Sequence, residues 1–72
     1  MSTNITIQTE YITLGQFLKV ADIISTGGQA KGFLAEAKIL VNGQEDNRRG
    51  RKLYPDDQIE VNGSDLFVIS RR

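Results

Sequence analysis

The strongest chemical signal in the sequence is a cluster of four cations in the segment NRRGRK (residues 47–52): Arg48, Arg49, Arg51 and Lys52. Arginine presents a planar fork of N–H donors that matches phosphate oxygens, and a cluster of cations releases counterions when it binds a phosphate backbone. We refer to residues 47–52 as the basic segment and predict that it binds phosphates. The alternative is a solvated turn whose charge is balanced by neighbouring acids, namely Glu45, Asp46, Asp56 and Asp57.

A second candidate site is a pair of adjacent glycines, Gly27 and Gly28, in the first turn of a predicted helix. Each glycine costs a helix about 1 kcal/mol relative to alanine. The first N–H groups of a helix lack an intrahelical acceptor and lie at the positive end of its dipole, so bare backbone there would admit a phosphate, with Lys31 adding charge one turn later. The alternative is that small residues are needed where two helices cross or where the chain turns tightly. The sequence leaves both interpretations open.

The composition excludes most catalytic chemistry. The chain has 72 residues, enough for one domain with a modest core, and it contains no cysteine and no histidine. A disulfide framework, a thiolate zinc site, a cysteine nucleophile and histidine acid–base catalysis are therefore absent. We expect no metal, no cofactor and no small-molecule substrate. The formal net charge of zero argues against non-specific coating of nucleic acid, although a local patch still acts within the screening length of about 10 Å.

Hydropathy and the amino-terminal residues indicate the cellular location that we expect for the protein. No apolar run approaches the roughly 20 residues that span a bilayer, so we expect no membrane partner. The opening MSTNITIQTE has neither the basic nor the apolar region of a secretory signal. We therefore expect a cytoplasmic protein, and we expect it to be a monomer, although dimerisation through an edge strand stays open.

Periodicity predicts two short helices. Apolar residues at helical spacing begin after Thr13 and again after Thr26, and each threonine is followed three residues later by glutamine, as in a capping box. We predict helix one at about residues 14–23 and helix two at about residues 27–37. Only a few residues separate them, so they should pack as a helix-turn-helix unit.

The remainder of the chain predicts strands and turns. Alternation indicates strands around residues 5–7, 39–41, 59–61 and 66–70, with turns at residues 42–43, 54–57 and 62–65. The first three residues should be frayed. The tripeptide V-N-G occurs twice, and we interpret the repetition as coincidence because both copies are tight-turn sequences.

These elements predict an α+β fold for residues 1–72 as a single domain: two short N-terminal helices packed on a small, mainly antiparallel sheet of about four to five strands. The helices should cover one face of the sheet with Phe17, Leu18, Phe33 and Leu34. The strands should contribute Val41, Ile59, Val61 and either Phe67 or Leu66.

The order of the motifs resembles the RNA-binding domain first seen in ribosomal small-subunit protein four, also called the alpha-L motif. The resemblance runs from about residue 11 to residue 61 and includes LGQFLK in the first helix, STGGQAK at the second, ILVNG in the strand and PDDQI in the later turn. Within the family the chain is most similar to small stand-alone bacterial members, the YaaA-like and YbcJ-like proteins. The resemblance implies a non-enzymatic protein that binds structured RNA, with ribosomal RNA during ribosome assembly or maturation as the expected partner.

The resemblance also implies which residues contact RNA. One set lies at the start of helix two and consists of Ser25, Thr26, Gly27, Gly28, Gln29 and Lys31. The other follows the V-N-G strand and consists of Asn42, Gln44, Arg48, Arg49, Arg51 and Lys52. Two positions depart from the family pattern. Gly27 replaces a common arginine, which shifts the expected grip to main-chain amides, and Asp56 replaces a turn glycine, which adds an acid near the basic segment.

Two other function classes are compatible with parts of the sequence. In a small protein-interaction adaptor, the basic segment would meet an acidic partner, and the interaction would survive removal of RNA by nuclease. In an enzyme, Asp56 and Asp57 would hold a metal ion, but adjacent carboxylates after a proline are far more typical of turns. Tyr11 and Tyr54 are the candidates for stacking on bases, although tyrosines are more often packing residues.

Overall fold

The computed structural model describes residues 2–72, in which two helices and a short 3-10 turn are set among strands. The strands are β1 (Ser2–Ile7), β2 (Ile12–Thr13), β3 (Ile39–Val41), β4 (Gln44–Glu45), β5 (Lys52–Leu53), β6 (Gln58–Val61) and β7 (Asp65–Arg71). The helices are α1 (Leu14–Val20) and α2 (Ala30–Glu36), and the 3-10 turn Gly27–Gln29 leads directly into α2. None of the helices in this part of the chain has the length and apolarity needed to cross a membrane.

The main sheet has five strands in the order β1-β7-β6-β3-β4. The prediction of an α+β fold is confirmed, but the sheet is mixed, because β1 pairs in parallel with β7 while the other neighbours are antiparallel. Ser2 and Thr3 were predicted to be frayed, yet they pair with Leu66 and Phe67. Met1 lies outside the described residues. The error arose because pairing between the two ends of a chain leaves no local pattern in the sequence.

A second sheet, which the sequence did not predict, consists of β2 and β5 alone. Each strand has two residues, too few for alternation to be recognised. Ile12 lies opposite Leu53 and Thr13 opposite Lys52. Ile12 and Leu53 pack in the core, and because side chains alternate across a strand, Thr13 and Lys52 belong to the outer face. The ribbon therefore joins the chain before α1 to the end of the basic segment.

The predicted core is confirmed in its main members. Phe17 and Leu18 are fully buried and Leu34 nearly so, while Phe33 is partly buried against the same cluster. The sheet contributes Val41, Ile59 and Val61, all buried. Of the two alternatives for the last strand, Phe67 packs against the cluster, with its ring edge-on to Phe17 at 5.2 Å between centroids.

The first helix is shorter than predicted. Its capping box forms, because Thr13 Oγ1 accepts from Gln16 N–H and Gln16 Oε1 accepts from Thr13 N–H. The helix ends at Val20 instead of residue 23, where Asp22 adopts a left-handed conformation with φ of 63°. Asp22 and Ile23 donate backbone hydrogen bonds back to Lys19 and Leu18, which forms a Schellman cap. Aspartate adopts the left-handed conformation less often than glycine does. The end of the helix at this residue was therefore not predicted.

The two V-N-G tripeptides form tight turns, as predicted, and they also occupy equivalent positions at the two ends of the β3–β6 pair. Asn42 N–H donates to the Gln58 carbonyl and Asn42 Oδ1 accepts from Gln58 N–H. Asn62 makes the same pair of bonds with Lys38. In the antiparallel pair each asparagine therefore closes one end of the ladder, and its φ of 53° or 54° also starts the tight turn.

The basic segment is held against the start of α1 by its backbone. Leu14 N–H donates to the Arg51 carbonyl at 2.7 Å, and Gly15 N–H donates to the Arg49 carbonyl at 2.9 Å. The segment therefore supplies acceptors for the first two N–H groups of the helix, which have no intrahelical partner. A Cβ on Gly15 would lie 2.7 Å from Arg49 Cγ and 3.4 Å from the Arg49 carbonyl oxygen. Bare backbone is needed at Gly15 for this close approach.

We predict opposite effects for alanine at two glycines. Gly15→Ala should lower the free energy of unfolding by about 1 to 3 kcal/mol, because Arg49 or the helix must shift. Gly28→Ala should leave it unchanged or raise it by up to about 1 kcal/mol, since the new Cβ has no neighbour closer than 3.9 Å. Urea unfolding of both variants measures the difference. Equal stability of the two variants would contradict the close approach at Gly15.

Candidate nucleic-acid interface

The start of α2 is ordered by a glutamine that caps the preceding turn. Gln29 Oε1 accepts from the N–H groups of Ser25 and Thr26 at 2.7 Å and 3.2 Å. Residues 25–29 are all exposed, so the backbone of this turn faces solvent. The amide oxygen of Gln29, a predicted RNA contact, is already used within the turn.

The structure removes the packing explanation for the two glycines. A Cβ at Gly27 would meet no atom within 4 Å, and one at Gly28 would meet only Thr26 Oγ1 at 3.9 Å. Neither glycine has a positive φ. Helix crossing and a strained turn therefore do not account for these residues, whereas unobstructed access to the backbone is what the geometry provides.

Asp46 organises two of the four cations in the basic segment. Its carboxylate accepts from Arg48 Nε and Nη2 at 3.1 Å and 2.8 Å, and also from the Arg48 backbone N–H at 2.9 Å. Arg51 Nη1 donates to Asp46 Oδ2 at 3.0 Å. The Asp46 side chain is 8% exposed while that of Arg48 is 71% exposed. The acid is thus covered by the guanidinium groups, and Arg48 still presents most of its surface to a ligand.

These contacts shift the ionisation of the pair. The side-chain hydrogen bonds from Arg48 hold the pKa of Asp46 well below its usual range, with help from the Arg48 backbone N–H and from Arg51, and burial opposes them. The same hydrogen bonds and the charge of Asp46 raise the pKa of Arg48. Asp46 is therefore ionised at neutral pH and offsets part of the local positive charge.

Arg49 lies between the two helices and links the predicted halves of the site. Gly27 lies in the 3-10 turn before α2, which begins at Ala30 and not at residue 27 as predicted. One cleft is lined by Gly27, Lys19 of α1, Arg49 and Gly50. The neighbouring cleft is lined by Arg49 together with Lys31 and Asn47. Within residues 2–72, neither Arg49 nor Lys31 forms a salt bridge. The structure thus places the start of α2 and the basic segment side by side, with two cations free to meet an anion.

The rest of the basic segment faces a third cleft, lined by Arg48, Arg51 and Lys52 with Tyr54. Lys52 is exposed, and its Nζ lies 5.0 Å from the centre of the Tyr11 ring. Gly50 lines both this cleft and the one that contains Gly27. The three clefts are therefore contiguous along the basic segment.

Asn42 and Gln44, the other predicted contacts, have different positions. Asn42 uses both ends of its side-chain amide in the fold, because Oδ1 accepts from Gln58 N–H and Nδ2 donates to Asp57 Oδ1. This role explains the residue type without a ligand. Gln44 is exposed in β4 opposite Val41. Contact of either residue with RNA stays a prediction.

Sequence reasoning missed three residues that shape this surface. Lys19 lines the cleft with Gly27, but it was assigned only to the first helix. Gly15 leaves room for the basic segment. The signal in the sequence was a glycine within a helical pattern of apolar residues. Asp46 was treated as one of several balancing acids, although its position two residues before Arg48 matches an Asx turn.

The Asp46 contacts lead to a prediction about pH. A carboxyl whose pKa is lowered by folding stabilises the fold above its ordinary pKa, near 3.8, and this contribution disappears as the pH falls toward the folded-state value. Asp46→Asn should therefore lower the free energy of unfolding by about 1 kcal/mol at neutral pH and by less near pH 2. Urea unfolding at both pH values measures this. The exposed acid Glu36 provides the control, as Glu36→Gln removes the same charge, and a pH-independent loss in Asp46→Asn would contradict the assignment.

Comparison with known proteins identifies the family of the chain. A family model described as S4 domain matches residues 5–69. The chain is also 56% identical over 69 residues to the protein "Probable ribosome maturation protein RlbA" of Bacillus subtilis (strain 168), a match that covers 96% of this chain and 97% of that protein. The resemblance drawn from the helix, strand and turn motifs is confirmed. With the family model spanning both helices and the basic segment, the chain belongs to the S4 domain family.

Proposed function

We propose that this protein is a non-enzymatic RNA-binding protein that recognises structured RNA through the start of α2 and the basic segment. The observation that carries the proposal is the position of Arg49, which shares one cleft with Gly27 and the next with Lys31. Two segments separated in sequence thereby form one surface with exposed cations. Family membership supports the same conclusion.

The surface suits recognition of RNA shape. The major groove of an A-form helix is too narrow for side chains to read, so phosphates and 2′-hydroxyls are the available contacts. Main-chain amides at Gly27 and Gly28 and the guanidinium of Arg49 are donors suited to phosphate oxygens. These contacts position a protein on RNA without reading base sequence.

Ribosomal RNA during ribosome assembly or maturation is the target we propose. The support is the 56% identity with a protein named for ribosome maturation. We propose that the protein acts as a monomer, because one chain already brings the two halves of the surface together. Crosslinking in cells followed by sequencing of the attached RNA would identify the target.

The salt dependence of RNA binding tests the surface. If Lys31 and the four cations of the basic segment contact phosphates, about three to five ions are released, and log affinity should fall against log salt with a slope of about −2 to −5. Replacing both Lys31 and Arg49 by alanine should flatten this slope by about one to two units and weaken binding to different RNA sequences similarly. Filter binding to a structured RNA over a range of salt concentrations measures both quantities.

A matched control separates local contact from total charge. Lys38 is exposed and lines another cleft together with Glu36 and Glu45. Lys38→Ala should leave the slope unchanged, and Arg49→Ala alone should flatten it by about one unit. Circular dichroism should show that every variant is folded, because exposed charges contribute little to stability. Equal slopes for Lys38→Ala and Arg49→Ala would overturn the proposed surface.

A further inference from the structure

The outer face of the β2–β5 ribbon carries both tyrosines of the chain. Because Ile12 lies opposite Leu53, Tyr11 lies opposite Tyr54 one step beyond the paired residues. Their ring centroids are 5.7 Å apart and the ring planes are inclined by 46°. Neither ring belongs to the hydrophobic core or to the residues packed against it. Packing in the core therefore does not account for the exposed ring of Tyr54, whereas Tyr11 is partly buried, as expected of a packing residue.

The two rings differ in how accessible they are. Tyr11 is partly buried, and Lys52 Nζ lies over its ring at 5.0 Å from the centroid. Tyr54 is 46% exposed, one of two large hydrophobic side chains with such exposure within residues 2–72. The favourable contact of a cation with an aromatic face occupies Tyr11 and holds Lys52 beside the pair. Tyr54 is left as the ring with an open surface.

The backbone under Tyr54 is fixed. Its N–H donates to Asp57 Oδ2 at 2.8 Å, and its carbonyl accepts from Asp57 N–H at 3.0 Å. The other oxygen of Asp57 accepts from Asn42 Nδ2. The turn is also joined to β7, because Asp56 N–H donates to the Ile69 carbonyl. An aromatic ring on such a turn is a preorganised stacking surface, which lowers the entropy lost on binding.

Three cations and one acid, Asp57, lie in the cleft beside Tyr54. Arg48, Arg51 and Lys52 line the same cleft as Tyr54. Through Gly50 this cleft adjoins the one that holds Gly27 and Arg49. Aromatic rings beside a positively charged groove bind single-stranded nucleic acid by stacking on bases while the cations hold the phosphates.

We propose that Tyr54 stacks on an unpaired nucleobase of the RNA whose phosphates lie along the basic segment. The proposal rests on the proposed function and specifies its ligand: a helix interrupted by an extruded nucleotide, in place of a continuous duplex. Stacking tolerates any base, because every base has a π-face. Arg48 and Lys52, which line the same cleft as the ring, supply the contacts for the phosphates that flank the extruded nucleotide.

The test compares three RNA hairpins closed by the same hexaethylene glycol linker, so that the closing loop offers no unpaired base. One is fully paired, one carries a single unpaired adenosine, and one carries an abasic residue at that place, which keeps the phosphate and removes the base. Wild-type protein should bind the adenosine hairpin about 5- to 150-fold more tightly than the abasic hairpin. In Tyr54→Ala this preference should be lost, and in Tyr54→Phe it should be retained.

Fluorescence gives a second measurement. The chain has no tryptophan and two tyrosines, so in Tyr11→Phe the tyrosine emission comes from Tyr54 alone. The adenosine hairpin should quench this emission, while the abasic hairpin should not. The abasic comparison requires no change in the protein, so it stands even if Tyr54→Ala fails to fold.

The outcomes distinguish the two proposals. If wild-type protein binds all three hairpins with equal affinity and the expected salt slope, the stacking inference is overturned and the proposed function stands. Loss of affinity in Tyr54→Ala that is equal for the adenosine and abasic hairpins likewise overturns stacking. If the protein binds none of the hairpins and no other structured RNA, the proposed function fails and the inference fails with it.

Discussion

The candidate surface depends on two hydrogen bonds, from the N–H groups of Leu14 and Gly15 to the carbonyls of Arg51 and Arg49. They give the first N–H groups of α1 acceptors that a helix cannot supply itself. They also hold the basic segment against the helix, so that Arg49 crosses over Gly15 toward α2. Asp46 and the pairing of Lys52 with Thr13 fix other parts of the segment, whereas these two bonds fix Arg49. The start of α1 and the candidate surface are therefore parts of one structural feature.

Some cations of the candidate surface form ion pairs within the fold, and others have no anionic partner within residues 2–72. Asp46 holds Arg48 and Arg51 through short ion pairs, so these guanidinium groups already have an anionic partner. Such pairs reduce the gain from a phosphate, but they fix the position of the cations before binding, and ordering long side chains on binding costs about 0.5 to 1.5 kcal/mol each. Arg49 and Lys31 have no such partner within residues 2–72. A chain of zero net charge thus presents both preorganised and free cations on one face.

Sequence patterns predicted the elements in which a periodic pattern extends over several residues. They did not predict the elements that depend on contacts between residues far apart in the chain. The two helices, the capping boxes and the asparagine-glycine turns followed from local residue types, as did most of the core. Local residue types did not predict the parallel pairing of β1 with β7 or the β2–β5 ribbon. Two-residue strands and pairings between chain ends leave no local signal in the sequence. For the surface, residue types suggested Arg49 and Gly27, but their adjacency required the fold. The glycine whose lack of a side chain is required by close packing is Gly15, and no residue pattern distinguished it from the adjacent pair Gly27 and Gly28.

The V-N-G motif shows how a family motif serves the fold and the surface together. Asn42 turns the chain between β3 and β4, closes the ladder to β6, and donates to Asp57. Asp57 in turn fixes the backbone of Tyr54. The preceding residue, Asp56, has a φ of 76°, the conformation that glycine adopts readily, which accounts for the glycine in the family pattern. Hydrogen bonds from Asn42 to Asp57 and from Tyr54 to Asp57 thus fix the position of the exposed Tyr54 ring beside the basic segment. Residues such as Asn42 therefore influence the surface through position, whether or not a ligand contacts them.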